Sequence, residues 1–282
     1  MNCLFVSDLH GSESRYNKLL GLVEVEAPGA LFIGGDLLPG GMGLAPGPRD
    51  AIDDLLMPGL TALKNSMGER YPRVFIILGN DDPRIVETEM RLGESRGIWE
   101  YIHNKSTRLG GYEVFGYACV PPTPFLLKDW ERYDVSRYVD PACVSPEEGF
   151  RTAALPHGRP KYRTIAQDLD NLTRGRDLSR AILLFHTPPY QTNLDRAALD
   201  GRKIDHVPLD VNIGSIAVRR LIERAQPLLT LHGHVHESAR LTGSWRDRLG
   251  DTQMISAAHD GPELAVVRFN PDDLDGAERS LL

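Results

Sequence analysis

Two histidines stand two residues apart in the stretch Leu231-His232-Gly233-His234-Val235-His236, directly after the apolar run Pro227–Leu231. In extended backbone, alternate side chains share a face, so His234 and His236 project together while Val235 turns away. Gly233 lets the backbone bend and approach a neighbour closely. Two imidazoles aimed at one spot suit a metal ion; the plain alternative is a polar turn that happens to carry histidines. Asp8 and His10 repeat the same spacing near the N-terminus. Asp36, Asn80 and His186 each follow another short apolar run. Every buried run except the late ones therefore ends in a side chain able to hold a metal.

The elements that must carry these residues follow from periodicity. Cys3–Val6 reads as a strand buried on both faces. A helix is expected from about Ser14 to Glu26, stopped by Pro28-Gly29. Ala30–Ile33 is the second strand, giving a β-α-β unit with a parallel crossover. The Pro/Gly-rich stretch Pro39–Pro48 is a loop, and Asp50–Met67 has helical spacing with a break expected at Pro58-Gly59. Val74–Leu78 is the third strand. Asp82 before Pro83 looks like a helix N-cap followed by proline. Glu113–Val120 reads as a strand, Ile165–Leu172 as a helix, and Ala181–Phe185 as a strand ending at His186. Ser215–Ala225 is a helix with Gly214-Ser215 as its cap. Leu228–Leu231, Met254–Ser256 and Leu264–Phe269 complete the strands. In open α/β sheets, functional groups gather beyond the carboxyl ends of the strands, which is where all seven candidates fall.

Composition narrows the class. The 282 residues are 41% hydrophobic and 25% charged, ordinary for a globular protein. No apolar run reaches membrane-spanning length, and the N-terminus reads as a first strand. Three widely spaced cysteines argue against a disulfide framework and fit a reducing, cytoplasmic setting. A net charge of −7 offers no general attraction to nucleic acid or anionic membrane.

The ordered blocks Asp8-Leu9-His10, Gly35-Asp36, Gly79-Asn80, His186 and Gly233-His234-Val235-His236 resemble the calcineurin-like metallophosphoesterase superfamily. The resemblance implies an α/β fold, a four-layer α/β/β/α sandwich of mixed sheets flanked by helices, as a single domain over 1–282. It implies a two-metal site. Asp8, His10, Asp36 and His236 would hold one ion; Asp36, Asn80, His186 and His234 would hold the other, with Asp36 bridging. A carboxylate can bridge two cations through its two oxygens, and Asn80 adds a neutral oxygen. Imidazoles mixed with carboxylates suit Mn²⁺, Fe or Zn²⁺; Mn²⁺ is the leading expectation. Two such ions about 3.5–4 Å apart hold a hydroxide and clamp a phosphoryl group for in-line attack. The implied substrate is a small phosphate ester, nucleotides included.

One position departs from the family pattern. A histidine usually follows the asparagine and helps the leaving oxygen depart, but here Asp81 stands there. An aspartate is ordinarily ionised at pH 7, and nearby cations lower its pKa further. The expected activity is therefore a metal-dependent phosphoesterase that favours diesters, with Asp81 facing substrate. The alternatives are a monoesterase or nucleotidase whose proton comes from His232 or His259, and a metal-holding scaffold with little turnover. His232 is otherwise expected to be a buried neighbour of the ligands. Residues 121–163, rich in proline and aromatics, are expected to form an irregular insertion walling the site, together with the loop 191–213. Arg84, Arg132 and Arg163 are candidate phosphate clamps, with surface positions as the plain alternative. Trp130, Tyr133 and Phe125 are expected either as the insertion's own core or as a lid.

Overall fold

The computed structural model describes residues 1–40, 51–154 and 162–282. The loop expected at 39–48 and residues 155–161 of the insertion therefore lie largely outside the described residues. In chain order, β1 (Cys3–Val6), α1 (Glu13–Glu26) and β2 (Ala30–Gly34) form the expected first unit, with β1 and β2 parallel. Ser12 caps α1, its hydroxyl accepting from Arg15 N at 3.4 Å, and Ala27 ends it in a left-handed conformation before Pro28-Gly29. A π-helical turn over Ala51–Leu56 precedes α2 (Met57–Met67). Pro58 falls where the helical run changes from π to α; Leu56 is already helical at φ −69° and ψ −52°, so the run continues through the proline with its geometry altered and is not broken there.

β3 (Arg73–Ile77), α3 (Glu87–Ser95), β4 (Glu100–Tyr101), β5 (Lys105–Leu109) and β6 (Tyr112–Tyr117) follow. Beyond the insertion come α4 (Ile165–Leu172), β7 (Ala181–Phe185), the small hairpin β8 (Lys203–Ile204) and β9 (Val207–Pro208), α5 (Ile216–Ala225), β10 (Leu229–His232) and α6 (Ser238–Thr242). The chain closes with β11 (Arg246–Leu249), β12 (Thr252–Ser256), β13 (Ala265–Asn270) and β14 (Asp273–Leu281).

These strands make two mixed six-stranded sheets, ordered β14-β13-β1-β2-β3-β4 and β11-β12-β10-β7-β6-β5. The central strands are parallel; antiparallel strands finish both edges of the second sheet and the β14 edge of the first, while β4 closes the other edge parallel to β3. β2 and β3 of the first sheet meet β7 and β6 of the second, so one continuous apolar core fills the space between them. β1, β2 and β7 are buried along their whole length, as their unbroken apolar runs require. Helices flank the sheets, completing the layered sandwich that the resemblance implies.

The insertion contains no regular helix or strand among its described residues. It is tied down by single bridges, Val120 to Glu131 and Leu127 to Phe150, and by a buried polar centre. Trp130 is fully buried and Tyr133 nearly so, while Phe125 stays exposed. The first two are thus local core. The loop 191–213 is organised around Asp195, whose carboxylate accepts from Gln191 N, Thr192 N, Gly214 N and Asn212 Nδ2.

Candidate metal centre

All seven expected ligands come together at the carboxyl ends of β1, β2, β3, β7 and β10. They form two overlapping groups. Ligand-capable atoms of Asp8, His10, Asp36 and His236 lie within 4.8 Å of one another, and so do those of Asp36, His186 and His234. Asp36 belongs to both. Asn80 joins the second group: its Oδ1 is 3.1 Å from His186 Nε2, which is 3.2 Å from Asp36 Oδ2. In the first group His236 Nε2 lies 3.2 Å from Asp8 Oδ1 and 3.0 Å from His10 Nε2.

The local backbone is not the extended one the spacing suggests. Asp8, His10, Asp36 and His234 all have positive φ, at 57°, 47°, 50° and 74°. L-residues avoid this left-handed region at a cost of roughly 1–3 kcal/mol each, so the surroundings must impose it. The i, i+2 pairs converge because they occupy tight turns just after the strands end. Hydrogen bonds hold those turns: Asp8 N donates to Gly35 O at 3.0 Å and His10 N to Asp36 O at 2.9 Å. Two glycines are required by close approach. A Cβ on Gly79 would lie 2.7 Å from His186 Cε1, and one on Gly233 would lie 2.6 Å from Asp8 Oδ2.

The electrostatics suit cations. Asp8 and Asp36 are almost fully buried. Burial alone would raise both carboxyls, but the surrounding imidazoles hold them below the usual range. Burial likewise opposes charge on His186, yet Asp36 draws it up to about 10; His236 is drawn up to about 9 by Asp8. His234, buried without such a partner, falls to about 3. Without metal, protonated His186 and His236 thus balance the ionised carboxylates, and cations would take over that role. Buried carboxylates and imidazoles with one amide oxygen are a donor set that fits two divalent ions.

Several neighbours escaped sequence reasoning. Arg15 donates from Nη1 to Asp8 O at 2.6 Å and from Nη2 to Gly261 O, pinning the first turn. Asp82 is not an N-cap. Pro83 takes that place, before a short 3-10 turn at Arg84–Val86, and the Asp82 carboxylate points inward to the backbone of Gly79, Leu37 and Leu38. Neither signal is periodic; only a lone acid beside a ligand block hints at it. His232 is fully buried, with Nδ1 2.9 Å from Thr187 O and Nε2 2.7 Å from Thr230 Oγ1. Asp81 sits at the edge, its side chain 23% exposed, with Oδ1 accepting from Asn80 Nδ2 at 3.0 Å and Oδ2 3.8 Å from His10 Nδ1. Of the arginines, Arg84 is buried with its guanidinium over Trp130, Arg132 is buried and donates to Glu131 O, and Arg163 pairs with Asp168.

Comparison with known proteins gives the family and the fold. The family model described as calcineurin-like phosphoesterase matches residues 1–238. No curated protein matches the chain. Among solved structures, the protein TT1561 of Thermus thermophilus superposes with a TM-score of 0.54 at 17% identity, covering 99% of this chain and 98% of that one. A dimetal phosphatase from Danio rerio superposes with a TM-score of 0.53 at 13% identity, covering 95% and 92%. At such identities these neighbours support the fold.

Proposed function

Because the chain belongs to the calcineurin-like phosphoesterase family, we propose that it is a two-metal phosphoesterase that prefers diesters of small molecules, nucleotides included. The observation that carries this reading is the sharing of Asp36 by both ligand groups. Asp8, His10, Asp36 and His236 would hold one divalent ion, and Asp36, Asn80, His186 and His234 the other, with Mn²⁺ favoured. Such a pair supplies Lewis acidity, a water activated near neutral pH, and neutralisation of the phosphoryl oxygens.

The chain's own residues set the rest. Asp8 and Asp36 bring negative charge to a buried place, and the left-handed turns hold their oxygens in position before any ligand arrives. His186 is oriented by its Nδ1, 2.8 Å from Gly34 O, which leaves Nε2 facing Asp36 and Asn80. Asp81 occupies the position where the family's proton donor usually stands. Burial and the neighbouring Asp36 push the Asp81 carboxyl up to about 6, but two bound cations would draw it down and leave it ionised, so ester bonds with good leaving groups are favoured. Its partly exposed oxygens would instead accept from a hydroxyl-bearing or basic part of the substrate.

Neither histidine considered as a substitute acid is well placed. His232 has both ring nitrogens committed inside the protein, and His259 Nε2 lies 2.9 Å from Glu263 Oε2. This disfavours the monoesterase reading. The test is direct. The purified protein is stripped, reloaded with Mn²⁺ and given an aryl phosphodiester and an aryl phosphomonoester in parallel. Faster diester cleavage is expected. Preference for the monoester removes the diester assignment, and cleavage of neither with two ions bound leaves a metal-holding scaffold.

A further inference from the structure

Asp82 is fully buried and belongs to neither ligand group. Its Oδ1 accepts from Leu37 N and Leu38 N, each at 2.9 Å, and its Oδ2 accepts from Gly79 N at 2.8 Å. The first two donors directly follow Asp36; the third directly precedes Asn80. β2 and β3 pair in parallel only as far as Gly34 and Ile77. Beyond that point no ladder holds the two turns together, although both must present ligands to one spot. One carboxylate replaces the missing ladder.

We propose that Asp82 is the positioning residue of the second metal site, a clamp between the Asp36 turn and the Asn80 turn. This rests on the two-metal reading and adds the residue that sets the spacing of two of its ligands. A second tie between these turns, Asp81 N to Asp36 Oδ1 at 2.9 Å, uses the ligand's own oxygen and so cannot place it independently. Asp36 also carries a left-handed backbone, which the bonds to the next two residues help to impose. Three backbone N–H groups on two oxygens require a carboxylate. An amide offers one acceptor oxygen and turns an NH₂ toward the remaining N–H. The first site draws its other ligands from the turns after β1 and β10, which Asp82 does not contact.

The test compares the metal-free full-length chain with Asp82→Asn, each titrated with Mn²⁺ by calorimetry and by electron paramagnetic resonance. Circular dichroism and the melting temperature check the fold. The wild type is expected to take up two ions with an exchange-coupled signal. Asp82→Asn is expected to keep one ion with affinity within about three-fold, to bind the second roughly 10–100-fold more weakly, and to lose the coupled signal. If the amide variant folds poorly, Asp82→Glu serves, because it keeps the charge but shifts both oxygens by one methylene. Two ions bound to the variant with wild-type affinities overturn the inference alone. So does equal weakening of both ions in a folded variant. A wild-type chain that takes up fewer than two ions overturns the two-metal reading and the clamp with it.

Discussion

The backbone N–H of Asp81 donates to Oδ1 of Asp36 at 2.9 Å. The residue standing where the family carries a histidine is therefore fixed against the carboxylate shared by both ligand groups. Its position is set by the backbone and its chemistry by the side chain, so the two can be separated by mutation. In Asp81→His the hydrogen bond to Asp36 is retained, because it comes from the main chain, and a proton donor is restored. Phosphomonoester turnover should rise by about ten-fold or more, a part of the roughly 10²–10⁴-fold that a well-placed general acid can supply. Steady-state rates with an aryl monoester check this; an unchanged or lower rate would falsify the view that a missing acid limits monoester hydrolysis.

Asp36 lies in both groups of ligand-capable side chains, whereas His186 lies in one. Asp36→Asn should lose both ions together and lower activity by roughly 10³-fold, equivalent to about 4 kcal/mol of barrier. His186→Ala should lower the stoichiometry from two toward one. Metal content by mass spectrometry after gel filtration distinguishes the two outcomes. Retention of two ions by Asp36→Asn would rule out its bridging role.

Removing metal should also weaken the fold. Asp8 and Asp36 are buried acids close to each other, and cations bound only to the native state stabilise it by mass action. Exhaustive chelation is expected to abolish hydrolysis and to lower the melting temperature by roughly 5–10 °C. Mn²⁺ should restore both. An unchanged melting curve across chelation and reloading would count against tight binding at this centre.

The insertion offers a test remote from the ligands. Lys128 Nζ lies 2.5 Å from Glu131 Oε2, with both side chains buried. Glu131 also accepts from Thr123 N and Thr123 Oγ1. At pH 8, where Glu131 is ionised, Glu131→Ala alone should cost about 3–5 kcal/mol by leaving the buried Lys128 ammonium without its counter-charge, while Lys128→Met with Glu131→Leu should be close to neutral at that pH. Chemical denaturation of the three chains checks this.

The same pair predicts a pH effect. Burial pushes the Glu131 carboxyl up to about 7 from an ordinary 4.5, against the pull of Lys128. The folded state therefore holds a proton that the unfolded state has released between those values. This contribution to stability is complete below about pH 4.5 and is lost as pH rises through 7. Between pH 5 and 8 the wild type should lose on the order of 1–3 kcal/mol relative to the Lys128→Met/Glu131→Leu chain. A constant difference across that range would contradict the raised carboxyl.

Which side chains could hold metal, and in what order they occur, was legible in the sequence. Short apolar runs such as Ala30–Gly34 and Ala181–Phe185 are local signals, and each ends in its ligand wherever the strand goes. The helix Ile216–Ala225 was plain from its periodicity and its Ser215 cap, and a helix at Ile165–Leu172 was expected as well. The edge strands Lys105–Leu109, Arg246–Leu249 and Asp273–Leu281 were not legible. They are polar and largely exposed, and their pairing comes from the neighbouring strand more than from their own composition. Only the tertiary structure decided the left-handed turns at Asp8, His10, Asp36 and His234, the convergence of Asn80 on His186, and the inward aim of Asp82. Each depends on the parallel register of strands far apart in the chain, and no local pattern of residues encodes that distance.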